Sequence, residues 1–144
     1  MTIRATIRVA QSSDLSRIIA AYENWGYTRG VAPGDTVWMA EAAGELIGVV
    51  RIAPENGTLV LRGMRIAEPW RRQGIGSAML RVLAAWLGQR ECFCMPYSHL
   101  IEFYGQIGFV ETPQGPAPAF LASRLAEYKA GGLDVTLMRR RSAN

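Results

Sequence analysis

The residue types best suited to chemistry in this chain are concentrated at Arg71-Arg72-Gln73-Gly74-Ile75-Gly76-Ser77. A strand-like run ends just before them, at Met64-Arg65-Ile66, and a helical pattern begins at about Gly74. The first amides of a helix have no intrahelical acceptor, and together with the positive end of the helix dipole they attract anions. Glycine lets an anion approach the backbone with no Cβ in the way. Arg71 and Arg72 add charge, and Ser77 sits in the first turn, where its hydroxyl also reaches an oxygen. A pyrophosphate fits this set. A dinucleotide fingerprint would need a third glycine in a parallel βαβ unit, and a P-loop would need Gly-Lys-Ser/Thr; neither is present. A purely structural turn would leave two arginines against a dipole that disfavours cations.

A second pair of charged residues emerges from hairpin arithmetic. Asn56-Gly57 is the strongest two-residue hairpin signal, and with these two in the turn, Glu55 faces Thr58, Ala53 faces Val60 and Arg51 faces Arg62. Like charges opposed on one face are unfavourable, so Arg51 and Arg62 require an anion. Glu41 or Glu45 could supply it, which would make the pair structural. A carboxylate or phosphate on a bound substrate is the other candidate. Cys92 and Cys94 lie two apart in an apolar run, on one face of a strand, and are expected to be buried structural thiols. With His99 as the only histidine, no metal-ligand spacing appears, and no metal is expected.

The elements that must position these groups follow from periodicity. Ile3 to Ala10 reads as a strand, and Ser12-Ser13-Asp14 caps a helix with Leu15, Ile18, Ile19 and Tyr22 at helical spacing. Thr36 to Ala42, Leu46 to Ala53 and Thr58 to Ile66 read as an antiparallel meander with turns at Ala43-Gly44 and Asn56-Gly57. Ile75, Met79, Val82, Leu83, Trp86 and Leu87 form one apolar helical stripe. Cys92 to Met95 is a short buried strand, His99 to Gln106 a helix, Phe109 to Glu111 a strand, Phe120 to Lys129 a helix and Leu133 to Met138 a last strand. Thr112-Pro113-Gln114-Gly115-Pro116-Ala117-Pro118 reads as a loop. The class is mixed α/β (α+β), with a mostly antiparallel sheet flanked by helices.

With 144 residues, 49% apolar and 19% charged, the composition is that of a single globular domain over residues 1–144. The opening residues lack a signal-peptide core and no window reaches the length of a membrane helix, so a soluble, cytoplasmic protein with no membrane partner is expected. The net charge of +4 is local: Arg71-Arg72 is one group and Arg139-Arg140-Arg141, read as a frayed tail, is another. Neither lies on a patterned helix with interleaved aromatics, so nucleic acid is not an expected partner.

These motifs resemble the GNAT superfamily of acyl-CoA-dependent N-acyltransferases. Its pyrophosphate loop, Arg/Gln-x-x-Gly-x-Gly/Ala, is matched by Arg71-Arg72-Gln73-Gly74-Ile75-Gly76. The opening Ile7-Arg8-Val9-Ala10 with Asp14-Leu15 and Ile18 looks like the family's first segment, and Phe103-Tyr104-Gly105-Gln106-Ile107-Gly108-Phe109 looks like its closing Phe-Tyr-x-x-x-Gly-Phe. The resemblance implies splayed central strands, acetyl-CoA as co-substrate, and a pantetheine arm bonded to the backbone of Met64, Arg65 and Ile66. It also implies that Tyr104 protonates the departing thiolate, that the acceptor is a small-molecule or peptide amine, and that Glu23, Trp25 and Tyr27 lie by the acceptor cleft. A homodimer is compatible with it.

The sequence departs from the family where a frequent asparagine is Tyr97 and a small residue is Leu100. No acidic residue lies between Leu59 and Ile66, so no general base is assigned; Glu23, Glu41 or Glu102 through water are the alternatives, and His99 reads as a cap or packing residue. A non-catalytic acyl-CoA-binding module is the rival reading.

Overall fold

The computed structural model describes residues 4–112 and 117–141. Strand β1 (Thr6–Val9) leads through a 3-10 turn into helix α1 (Leu15–Asn24). Strands β2 (Thr36–Ala42), β3 (Glu45–Glu55) and β4 (Thr58–Ile66) form the meander, followed by helix α2 (Ile75–Leu87) and strand β5 (Cys92–Cys94). Helix α3 (Ile101–Gly105), strand β6 (Val110–Glu111), helix α4 (Ala119–Ala130) and strand β7 (Met138–Arg140) complete the chain. The sheet order is β1-β2-β3-β4-β5-β7-β6, antiparallel except for the β4–β5 pair.

Both meander turns use left-handed backbone: Ala43 and Gly44 have φ of 53° and 77°, Asn56 and Gly57 of 52° and 77°. That is the hairpin turn whose twist matches its strands. β3 is central and covered on both faces, which is why its side chains read as a nearly unbroken apolar run. Trp38, Val50 and Ile52 face a core closed by Met79, Leu80 and Leu83 of α2 and by Tyr104 of α3. Val37, Met39 and Val49 face Ile18 and Tyr22 of α1, and Val60 and Phe93 pack with Leu121 of α4. Thus α1 and α4 cover one face, α2 and α3 the other.

Three expected boundaries move. The first strand starts at Thr6, and the predicted helix from His99 splits into a 3-10 turn at Ser98–Leu100 and α3. The last strand is Met138–Arg140, not Leu133 to Met138, because β5 is short and the segment after it contains Pro96, which has no N–H to extend the ladder. Val135 makes only a single bridge, to Tyr97. Arg139 and Arg140 are therefore not part of a frayed tail: Arg139 pairs with Glu91, and Arg140 donates to the carbonyls of Ile107 and Gly88, the latter at 3.1 Å, closing the C-terminus of α2, while Arg141 lies exposed beyond the strand. Of the predicted loop from Thr112 to Pro118, residues 113–116 lie outside the described residues.

Candidate active site

The site is built where β4 parts from its neighbour. β4 and β5 pair only at Val60↔Phe93 and Leu61↔Cys94, so the rest of β4, from Arg62 to Ile66, bonds β3 on one side and leaves its other edge open. A cleft of about 670 Å³ runs along that edge. Its walls include Met64, Arg65 and Ile66 of β4, Met95 to Tyr97 after β5, and Phe103 and Tyr104 of α3.

A bulge lies within the same stretch. Val49 faces Arg65 and Arg51 faces Arg62, so β4 uses one more residue than β3 over this span. Gly63 takes a φ of 67° there, and Tyr22 of α1 donates its hydroxyl to the Gly63 carbonyl at 2.8 Å. The glycine interrupting the β4 run was the one sequence signal of this bulge.

Past Ile66 the chain turns over Glu68–Trp70 and enters the glycine loop. Arg71 donates its Nε to the Ile66 carbonyl at 3.0 Å, and Gln73 donates to the Pro69 carbonyl at 3.0 Å, so both side chains brace the loop. Arg72 has φ 63°, unusual for a residue with a side chain, and makes no hydrogen bond or ion pair among the described residues. Gly74 is the N-cap of α2 at φ 82°, with no side chain capping the helix and no acidic residue in its first turn. The amides of Ile75, Gly76 and Ser77 thus form an uncapped helix start beside two arginines. Gly76 answers a packing demand: a Cβ there would lie 3.0 Å from the Phe103 ring. Of this loop, Arg71 also lines the cleft.

Tyr104 is buried among Phe103, Phe109 and the sheet, lines the cleft, and its hydroxyl has no hydrogen-bond partner among the described residues. Burial raises its pKa, the nearby Cys94 thiol raises it further and Arg65 opposes both, so the phenol stays protonated through the physiological range. Cys92 and Cys94 are free and buried, as expected.

The structure rearranges the remaining expectations. The register places Arg51 opposite Arg62 as derived, yet the compensating anions are neither Glu41 nor Glu45. Arg51 is 2% exposed and pairs with buried Asp35 at 3.2 Å, while a second guanidinium nitrogen donates to the Tyr27 hydroxyl at 2.7 Å. Arg62 pairs with Glu55 at 3.2 Å, and Glu55 also holds Arg124 at 2.6 Å. Burial would raise the Glu55 carboxyl, but Arg124 and Arg62 outweigh it and hold it below its usual range. Arg62 lines the cleft and Arg51 does not. Glu41 is engaged by Arg8 of β1 and Arg17 of α1 instead. Tyr27 lines the cleft, whereas Glu23 and Trp25 do not, Trp25 packing instead on the α1 cluster. Glu102 is outside the cleft wall as well, and His99 lies exposed at its rim, stacked on Tyr97 with ring centroids 6.0 Å apart. Arg29 ends the segment from Tyr22 to Arg29 that the resemblance sets by the acceptor cleft and was not singled out there; it lines the cleft from the loop after α1, and sequence reasoning missed Asp35.

Residues 33–111, from the start of the meander through β6, match the family model described as an acetyltransferase (GNAT) domain. The chain belongs to the GNAT family. Among solved structures, a GNAT-family acetyltransferase from Streptococcus pneumoniae aligns over 97% of this chain and 100% of its own, at 18% identity and TM-score 0.71. The ribosomal-protein-S18-alanine N-acetyltransferase from Escherichia coli aligns over 98% and 97%, at 16% identity and TM-score 0.69. N-acetylglutamate synthase from Neisseria gonorrhoeae aligns over 100% of this chain at 18% identity and TM-score 0.66, but this GNAT chain covers only 36% of that enzyme. At these identities the likeness is one of fold. No curated protein sequence matches the chain. Among the described residues no helix is long and apolar enough to cross a membrane, and no cluster of potential metal ligands occurs.

Proposed function

We propose that this GNAT protein is an acetyl-CoA-dependent N-acetyltransferase acting on a primary amine of a small molecule or peptide. The observation that carries the reading is the continuity of the open β4 edge with the uncapped start of α2. A pantetheine arm is a chain of amides, and along Met64 to Ile66 it finds the free backbone groups of a strand edge. Beyond Ile66 the same ligand meets Arg71, Arg72 and the first amides of α2, the groups that suit a pyrophosphate. That the gonococcal neighbour was solved with coenzyme A supports the same assignment.

In the proposed reaction the neutral amine attacks the thioester carbon, the carbon–sulfur bond breaks, Tyr104 gives its hydroxyl proton to the departing sulfur, and the proton lost by nitrogen returns to Tyr104 through solvent. Tyr104 donates a hydrogen bond to the sulfur as negative charge develops there. Its raised pKa keeps the donor in place, and its lack of a protein partner leaves the hydroxyl free for that task. This free donor favours catalysis over the non-catalytic binding module. The reading also places the protein in the cytoplasm, where free thiols such as Cys92 and Cys94 persist.

The test has two steps. Acetyl-CoA at about 100 times its dissociation constant should raise the melting temperature by about 5–10 °C. Free thiol should then appear when the complex is offered amines. Stabilisation with no thiol release from a broad amine panel would establish the binding module instead; no stabilisation would reject both.

A further inference from the structure

Resting on the acetyltransferase reading, we infer that the acceptor is a small amine that also bears an anionic oxygen group, a carboxylate or a phosphate, received by Arg65 and Arg29. The charged side chains lining the cleft are Arg29, Arg62, Arg65 and Arg71, with no aspartate or glutamate among the described lining residues. A polyamine entering such a wall meets only like charge.

The acids that neighbour this wall are already engaged: Asp134, between the lining residues Leu133 and Val135, accepts from the Ser98 hydroxyl at 2.8 Å. Asp35 accepts from Arg51 and, at 2.9 Å, from the Ala32 amide. Glu55 is shared by Arg62 and Arg124, so the carboxylate nearest Arg62 is engaged and Arg62 is held by it at 3.2 Å. Arg71 braces the loop at the α2 end of the cleft. Arg71, like Arg65 and Arg29, has no carboxylate among the described residues, but the proposed function already gives it to the pyrophosphate, which leaves the side chains of Arg65 and Arg29.

Arg65 is half-buried and held by neutral partners only. One Nη donates to the Met64 carbonyl at 2.9 Å, and the guanidinium carbon lies 4.8 Å from the centre of the Tyr27 ring. Tyr27 is itself fixed, since its hydroxyl accepts from buried Arg51. Arg65 is thus oriented before any ligand arrives and keeps donors to spare. Arg29, which lines the same cleft, lies 4.8 Å over the Tyr128 ring, aligned by a neutral face in the same way. A planar fork so placed matches a carboxylate or phosphate in bidentate fashion, and at Arg65, which is partly buried where Arg29 is exposed, the contact is strengthened relative to water. The role that hairpin arithmetic gave to Arg51 and Arg62 therefore passes to arginines that pair with no carboxylate among the described residues.

The test assays thiol release from acetyl-CoA by the wild type, Arg65→Met, Arg65→Lys and Arg29→Met. The acceptors are alanine against alaninamide, phosphoethanolamine against ethanolamine, and spermidine. The wild type should prefer an anionic member by about tenfold or more in kcat/KM, the scale of one charged hydrogen bond, with spermidine poorest. The preferred pair identifies carboxylate or phosphate. Arg65→Met and Arg29→Met should each lose most of that ratio, and Arg65→Lys should keep part of it. In parallel, N-acetylalanine and N-acetylphosphoethanolamine are titrated into the coenzyme A complex, where at least one should bind the wild type more tightly than Arg65→Met. Equal use of neutral and anionic amines, or variants that keep the ratio, overturns the inference and leaves the acetyltransferase reading standing. Absence of both anionic turnover and N-acetyl product binding does the same. Failure of acetyl-CoA itself to bind overturns both.

Discussion

The hydroxyl of Tyr22 on α1 donates to the carbonyl of Gly63 at 2.8 Å, and it approaches Gly63 so closely that a Cβ at that position would overlap the phenol oxygen. The bond reaches from a helix through the sheet face to the bulge that opens β4, so the shape of the cleft depends on it. Tyr22→Phe should lower stability by about 1 kcal/mol, the worth of one such bond. Gly63→Ala should cost about 2 kcal/mol or more, from the left-handed backbone and the overlap together. Urea unfolding of the two variants measures both, and a Gly63→Ala variant as stable as the wild type would show that the bulge is not pinned in this way.

Tyr104→Phe removes a hydroxyl that has no described protein partner while leaving its ring against Phe103 and Phe109. Melting temperature and acetyl-CoA affinity should stay near wild type, and kcat should fall by about 10- to 1000-fold, within reach of one proton donor. Steady-state kinetics with thermal melts on the same sample checks the separation; unchanged kcat would remove Tyr104 from the reaction.

Arg51 and Asp35 form a buried pair, each side chain 2% exposed, with the Arg51 Nε lacking any partner. Breaking one side strands the other charge, so Asp35→Ala should cost about 3–5 kcal/mol in urea unfolding. The double variant Arg51→Met/Asp35→Asn should be more stable than Asp35→Ala alone. A small cost for the single change would mean that water reaches Arg51.

The buried thiols make stability fall at alkaline pH. Burial pushes Cys92 from 9.0 up to about 12 and raises Cys94 as well, so the folded state keeps protons that the unfolded chain releases. Their stabilisation is complete below pH 9 and is lost as pH climbs through the window above it. Between pH 8 and 10 Cys92 should contribute a loss on the order of 1 kcal/mol, Cys94 adding in the same direction, and Cys92→Ala should remove its share of that slope. Unfolding midpoints at the two pH values, wild type against variant, decide the matter.

Local rules carried far where the signal was local. Asn56-Gly57 fixed the register down to Arg51 opposite Arg62, and Gly74 marked the start of α2 because both positions demand left-handed backbone. What escaped was set by distance in sequence. Asp35 comes to Arg51 from 16 residues away, through a loop with no periodicity, so Glu41 and Glu45 stood in for it. β7 was misplaced because Val135 and Leu137 are buried like strand residues while β5 is too short to pair with them. The second glycine of the loop was read as room for phosphate, and its neighbour is Phe103, 27 positions on, a contact that no spacing rule reports.

The account stands most directly on where the cofactor phosphates bind, and calorimetric titration of acetyl-CoA into the wild type and into Arg71→Glu/Arg72→Glu tests it. Both arginines are exposed and the variant loses one loop contact, from Arg71 to the Ile66 carbonyl, so its melting temperature is measured beside the wild type's and should fall by no more than a few degrees. Two charged hydrogen bonds replaced by repulsion should weaken binding by about 100-fold or more, with the residual affinity falling less steeply as salt rises. Equal affinity in a folded variant would contradict the claim that the cofactor lies along β4 with its pyrophosphate at the start of α2.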